Sequence, residues 1–208
     1  MKLKLVNFFS LITFLFLACS LNTNYLKTFD TKIINFIQSF ESDFLTTFLK
    51  TLTKIGNTKT VIVLTIIVFL FLLLKKYTHY GIYFVLNMIS SWVIIDGVKY
   101  LVKRERPTMH RLISEKNFSF PSGHATATFI FWTLIIIFIV LTLNNIFKYI
   151  ITILIISLIF IVGVSRIYLG VHFPSDILAG YLAGSFVVSL SYLILNKIYK
   201  NKEYIKRK

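Results

Sequence analysis

Long uncharged apolar runs, separated by short polar breaks, make up most of this chain. Six stand out, at residues 5–26, 60–74, 77–95, 125–147, 149–165 and 177–196. A bilayer core about 30 Å thick takes about 20 helical residues to cross, so the pattern predicts an all-α bundle of six transmembrane helices. The run 60–74 is short, roughly 22 Å as a helix. It spans only if Lys59 and Lys75 extend their amines to the interface. Between the first two runs, apolar residues recur at near-helical spacing: Phe29, Ile33, Ile34, Phe36, Ile37, Phe40, Phe44, Leu45, Phe48, Leu49 and Leu52. That periodicity predicts an amphipathic helical segment over 27–59, lying on the membrane surface or capping the bundle. Gly56-Asn57 supplies turn chemistry at its end.

The first run has two readings. Lys2 and Lys4, an apolar stretch and Ala18-Cys19 resemble a cleaved leader or lipoprotein signal. The favoured reading is an uncleaved signal-anchor helix, because Phe16 sits poorly three residues before the cysteine.

Composition narrows the class. The chain has 208 residues, 56% of them hydrophobic and 15% charged, with a mean hydropathy of +0.77. Neither a disordered chain nor an ordinary soluble domain has that balance. No linker or repeat interrupts it, so residues 1–208 read as one integral-membrane domain. The net charge of +15 suits nucleic acid or anionic lipid. Apolar runs of this length select lipid, with the bilayer as partner and no nucleic acid. The single cysteine, Cys19, allows no internal disulfide.

The polar chemistry sits at the ends of the runs. Lys99 to Pro107 follows the third, Pro121 to His124 opens the fourth, Arg166 closes the fifth, and His172 to Asp176 opens the sixth. Between Pro121 and Arg166 the chain crosses and returns, so all these groups share one face of the membrane. Lys and Arg counts on the two sides are nearly equal. The acid-poor short loops and the basic tail point to cytoplasmic termini, which puts the polar face outside.

Lys99 and Arg106 are seven apart and share a helix face if the third helix runs on to Pro107. Together they offer a point charge and a planar fork for an oxyanion. Lys103 and Arg104 read as a collar for lipid headgroups. Ser122-Gly123-His124 falls where a helix begins, and free backbone amides there attract anions. The same tripeptide also reads as a plain N-cap, although an imidazole at a helix mouth is chiefly useful as an acid or base. Asp176, four residues after His172, can reach back to one ring nitrogen and raise the basicity of the other. Alone, the pair equally fits a capping aspartate beside a bystander histidine. Two histidines and an aspartate also invite zinc, but three nearby cations favour an oxyanion, so no metal or other cofactor is expected. Residues 108–120 border this region, with His110 and Arg111 read as a solvated loop.

Lys99-(six residues)-Arg106-Pro107, Pro121-Ser122-Gly123-His124 and Ser165-Arg166-(five residues)-His172-(three residues)-Asp176 together resemble the three signatures of type 2 phosphatidic acid phosphatases. Every motif position is matched. The short bacterial form is most similar, including phosphatidylglycerophosphate and undecaprenyl diphosphate phosphatases. Vanadium haloperoxidases carry similar signatures but are soluble. The resemblance implies that Lys99, Arg106, Ser122, Gly123 and Arg166 bind phosphate. It also implies that His172 attacks phosphorus, Asp176 orients it, and His124 serves as acid and then base. Two alternatives use the same residues: a lipid phosphotransferase working through the same phosphohistidine, and a non-catalytic lipid-binding or transport protein.

Overall fold

The computed structural model describes residues 2–108 and 110–206. In hydrocarbon no water satisfies backbone amides and carbonyls, so apolar runs close their hydrogen bonds internally as helices. Eight α-helices result among the described residues: α1 (Lys2–Ser20), α2 (Asn24–Gln38), α3 (Asp43–Leu52), α4 (Thr58–Leu74), α5 (Thr78–Val102), α6 (Gly123–Thr142), α7 (Phe147–Tyr168) and α8 (Pro174–Lys206). A 3-10 turn, Thr53–Gly56, joins α3 to α4.

Helices α1, α5, α6 and α7, with Pro174–Leu195 of α8, are each long and apolar enough to cross a membrane. Helix α4 has 17 residues, about 26 Å. It reaches a sixth span only jointly with Asp43–Gly56, from which it bends by 51°. Large apolar side chains such as Phe16, Ile66, Trp92, Leu101, Ile153 and Phe160 stand exposed on α1, α4, α5 and α7. Lipid tails are their natural solvent.

Three boundaries differ from the sequence pattern. The first run predicted a helix over 5–26, but α1 stops at Ser20. Thr23 turns the chain there, its amide bonding the Ser20 carbonyl at 2.9 Å and its hydroxyl accepting from the Leu26 amide at 3.3 Å as the N-cap of α2. The amphipathic segment is two helices rather than one, broken at 39–42, with Ser42 capping α3. Its buried side carries Leu26, Asp30 and Ile34, while Phe29, Phe36, Phe40, Phe44 and Phe48 face outward, as suits an interfacial helix. The third helix does not reach Pro107. It ends at Val102, where Lys103 takes a left-handed conformation at φ 51°.

Helix α8 packs most extensively on α1 and α6, and α6 packs also on α7 and α5. Asn7 ties α1 to α8 by donating to the Phe186 carbonyl at 3.1 Å and the Ser189 hydroxyl at 3.0 Å. The α2–α3 pair is pinned over the end of α7. Gln38 Nε2 donates to the carbonyls of His110 and Tyr168 at 3.1 and 3.2 Å, and Tyr168 Oη bonds Thr46 Oγ1 at 2.8 Å. Gly170, at φ +70°, lets the α7–α8 turn lie against the 103–122 loop. A Cβ there would fall 2.3 Å from the His110 carbonyl oxygen. The C-terminal ends of α5 and α7 and the N-terminal ends of α6 and α8 thus meet at one end of the bundle.

Candidate active site

His172 lies in the turn before α8 and Asp176 in the first turn of that helix. Both are buried, at 1% and 0% exposure. Nδ1 of His172 is 3.4 Å from Asp176 Oδ2. On the other side of the ring, Arg106 Nη1 lies 3.1 Å from Nε2. A guanidinium only donates, so Nε2 carries the lone pair and Nδ1 the proton directed at Asp176. Arg106 therefore reaches the site from the extended loop beyond α5, not from a helix face shared with Lys99. Four further bonds hold it there, to the carbonyls of Asn117, Val171, Lys116 and Phe118.

Burial, the largest influence, lowers the His172 pKa to about 3 against the pull of Asp176, which would raise it. The native value falls below the unfolded one near 6.5, so the unfolded chain binds the proton the folded ring rejects. The stability this contributes is complete above about pH 6.5 and is lost as pH falls toward the native value. In histidine-labelled NMR of detergent-solubilised protein, the His172 signals, assigned by their loss in His172→Asn, should stay in neutral positions from about pH 8 to about pH 4. A midpoint near 6.5 would mean the ring is solvated.

The other cations converge on the same end. Lys99 Nζ donates to the Phe118 carbonyl at 3.0 Å. Arg166, 1% exposed, donates to Thr53 Oγ1 at 3.1 Å and to Glu115 Oε1 at 2.5 Å. Its buried Nε has no partner among the described residues. His124 lies within electrostatic reach of Arg166, His172, Lys99 and Arg106. His124 Nε2 lies 2.6 Å from Asn57 Oδ1. Asn57 Oδ1 therefore accepts a hydrogen bond from Nε2–H, which leaves the lone pair on Nδ1. Gly56 is needed beside it, because a Cβ there would sit 2.8 Å from Thr128 Oγ1 and 3.2 Å from the His124 ring.

Ser122 is the N-cap of α6, its hydroxyl accepting from the Ala125 amide at 3.4 Å. Its own amide donates to the Asp176 carbonyl at 3.1 Å, locking the starts of α6 and α8 together. The amides of Gly123 and His124 open the helix, where no intrahelical acceptor exists. A Cβ on Gly123 would meet only Ile95 Cγ2, at 3.9 Å, so neighbouring protein does not demand glycine there.

One reading of the flanking residues needs correction. Arg104 is not a headgroup collar. Its guanidinium bonds Asp176 Oδ1 at 2.6 Å and Asp30 Oδ2 at 2.7 Å, and lies 3.9 Å from the Phe173 ring centre. In the 108–120 loop His110 and Arg111 are exposed, as read from the sequence, while Ser119 at its far end is buried. Ser119 donates to Asp176 Oδ2 at 2.5 Å and lies 3.3 Å from His172 Nδ1. Arg111 folds back onto the carbonyls of Pro107 and Arg106. Lys103 is exposed. The periodicity missed Asp30, Asn57, Arg104, Glu115 and Ser119. Only Asp30 left a signal, as an acid on the apolar side of an amphipathic pattern.

Among the described residues, no group of three or more His, Cys, Asp or Glu side chains is placed to hold a metal ion. What the site offers instead is a buried imidazole with an available lone pair, a second imidazole and a cationic surround, at one end of a membrane-helix bundle. That combination defines a membrane enzyme for phosphoryl chemistry. Residues 79–200 match the family model described as the PAP2 superfamily; the chain belongs to that superfamily and is a lipid phosphatase. It is similar to phosphatidylglycerophosphatase B of Bacillus subtilis (strain 168), 29% identical over 173 residues covering 82% of this chain and 85% of that protein. It is also similar to an undecaprenyl-diphosphatase of Sulfolobus acidocaldarius, 30% identical over 140 residues covering 59% and 58% respectively. The crystal structure of a transmembrane PAP2-type phosphatidylglycerolphosphate phosphatase from Bacillus subtilis superposes with a TM-score of 0.85 at 27% identity, covering 92% of this chain and 96% of that one. The structure of Aquifex aeolicus LpxE shares the fold, with a TM-score of 0.64 at 22% identity over 78% of this chain and 93% of that one.

Proposed function

We propose that the whole chain acts as one phosphatase domain that cleaves phosphate from a lipid phosphate or diphosphate, of the phosphatidylglycerophosphate, phosphatidate or undecaprenyl diphosphate kind. The names of the similar enzymes support that substrate class. The observation that carries the mechanism is the assigned state of His172, with Nδ1–H toward Asp176 and the Nε2 lone pair toward the cations. Nε2 attacks phosphorus, and the bond from phosphorus to the leaving oxygen breaks. Lys99, Arg106, Arg166 and the first amides of α6 take up charge on the equatorial oxygens. His124 passes a proton through Nδ1 to the departing oxygen. Neutral His124 then draws a proton from water, which attacks the phosphohistidine and releases inorganic phosphate. No step needs a metal, because the cations neutralise the phosphate.

The direct test is phosphate release from those three lipids in detergent, with chelator present. Zinc-restorable loss of activity with chelator would overturn the metal-free mechanism. Label passing from a phosphate donor into a second lipid rather than into free phosphate would mean a phosphotransferase. No turnover of any lipid phosphate would leave a binding or transport protein. We place the site on the outer face, supported by acid-poor basic segments at Lys2, Lys4, Lys75, Lys76 and Lys148 and the basic tail. Hydrolysis of an impermeant substrate by intact right-side-out vesicles would follow from that sidedness.

Glu115 bears on affinity. Its carboxylate takes a donor of Arg166 that a phosphate oxygen also seeks. In Glu115→Gln the competing charge is gone, and inorganic phosphate should inhibit at about fivefold to tenfold lower concentration, roughly 1 kcal/mol. An unchanged inhibition constant would show that the carboxylate does not compete.

A further inference from the structure

The charge behind the histidine is built from further away than the motif. Asp176 has two oxygens with separate duties. Oδ2 receives the Phe173 amide at 2.9 Å, the Ser119 hydroxyl at 2.5 Å and the His172 ring at 3.4 Å. Oδ1 receives Arg104 Nη1 at 2.6 Å. The same nitrogen lies 2.8 Å from Ser175 Oγ, and the other arm of the fork bonds Asp30 Oδ2 at 2.7 Å. Asp30 comes from α2, is 1% exposed, and also accepts the Ser175 amide at 2.9 Å and hydroxyl at 2.6 Å. One guanidinium thus joins two buried carboxylates, and one of them is the partner of His172.

We propose that Arg104 and Asp30 are positioning residues for the phosphatase reaction. Arg104 holds Oδ1 of Asp176 so that Oδ2 stays on His172, and Asp30 holds Arg104. The proposal rests on His172 as the nucleophile. Its physical basis is the demand of a buried carboxylate for partners on both oxygens. Deprived of Arg104, the carboxylate turns to share its remaining donors between both oxygens, and the line from Oδ2 to Nδ1 is lost. Deprived of Asp30, Nη2 of Arg104 and both donors of Ser175 lose their acceptor in the turn that carries Asp176. A planar fork suits this task and an ammonium does not, since two acceptors on opposite sides must be met with fixed geometry.

The test uses the full chain in detergent with the variants Asp30→Asn, Asp30→Glu, Arg104→Lys and Arg104→Gln. Asp30→Asn should lower kcat about 10- to 100-fold with KM within about twofold, as loss of a supporting partner does elsewhere. Single-turnover rapid quench, with enzyme in excess over labelled substrate, should show transfer of the phosphoryl group from substrate slowed about as much as kcat. Arg104→Lys should lose nearly as much as Arg104→Gln, and Asp30→Glu should recover part of the loss. The double variant Asp30→Asn/Arg104→Gln should be no slower than Arg104→Gln alone, because the two act as one unit.

A wild-type kcat in Asp30→Asn would overturn the proposal. So would a wild-type single-turnover rate in the folded fraction, with the loss of kcat matched by a loss of folded protein, which marks a purely structural role. If Asp30→Asn does not accumulate, Arg104→Lys carries the same readouts. Turnover by His172→Ala at the wild-type rate would instead defeat the nucleophile itself. Inactive His172→Ala beside fully active Asp30→Asn would defeat the positioning role alone.

Discussion

His172→Ala should lose lipid phosphatase turnover by about 10⁴-fold or more, some 5 kcal/mol of barrier, and should form no trappable phosphohistidine. The expectation follows from the ring's position. Its Nε2 lone pair faces the Arg106 guanidinium at 3.1 Å, while its other nitrogen is held by buried acceptors, so no neighbouring group can take over the attack. Residual binding should survive, because Lys99, Arg106 and Arg166 do not depend on the imidazole for their placement. Arg166 is held by Thr53 and Glu115, and Arg106 by loop carbonyls. A substrate-protection or direct binding assay on His172→Ala should therefore give affinity close to wild type. Activity within tenfold of wild type would rule out His172 as nucleophile, and lost affinity would assign the ring to phosphate binding.

Asp176→Asn has the second largest expected effect, about 10³- to 10⁴-fold in kcat. The amide keeps the shape but presents a donor where one acceptor stood. Asp176 Oδ2 accepts from Ser119 and the Phe173 amide as well as His172, and Oδ1 accepts from Arg104. An asparagine cannot serve both sets, so His172 loses the partner that fixes its tautomer. The same change leaves Arg104 with Asp30 as its remaining carboxylate. Removing one member of a buried ionic set is destabilising by about 3 kcal/mol, so the variant should also unfold at lower temperature. Stability lost with kcat intact would reduce Asp176 to a structural anchor.

Much of this architecture was legible in the chain, and the reason is the solvent. A bilayer demands long uncharged helices, so five spans could be read from apolar runs alone, and the parity of those runs placed the motif residues at one end. The harder parts depend on partners distant in sequence. Arg106 could be named but not placed, because the left-handed turn at Lys103 leaves no periodic mark. Arg104 looked like one more basic residue at a helix end. Its role appears only when α2 brings Asp30 within 2.7 Å. Asn57 and Ser119 are common polar residues in turns, and nothing local distinguishes a hydroxyl that meets Asp176 from one that meets water. Helix α4 was ambiguous for a different reason: its 17 residues sit below the usual length, and the bend into it is a tertiary feature.

The link between Asp30 and Ser175 joins residues 145 apart in the chain, and that distance orders events during synthesis. Helix α2 leaves the ribosome early and waits for a partner that arrives only with the last helix. Until then Asp30 rides on an interfacial helix, where water can solvate it and the growing chain need bury no bare carboxylate in hydrocarbon. Arg104 emerges midway and likewise finds its second carboxylate only when α8 inserts. A ribosome-bound chain that ends before residue 172 carries Lys99, Arg106 and Arg166 but neither His172 nor Asp176. On the proposed mechanism, the phosphatase reaction therefore has no nucleophile until the final helix joins the bundle.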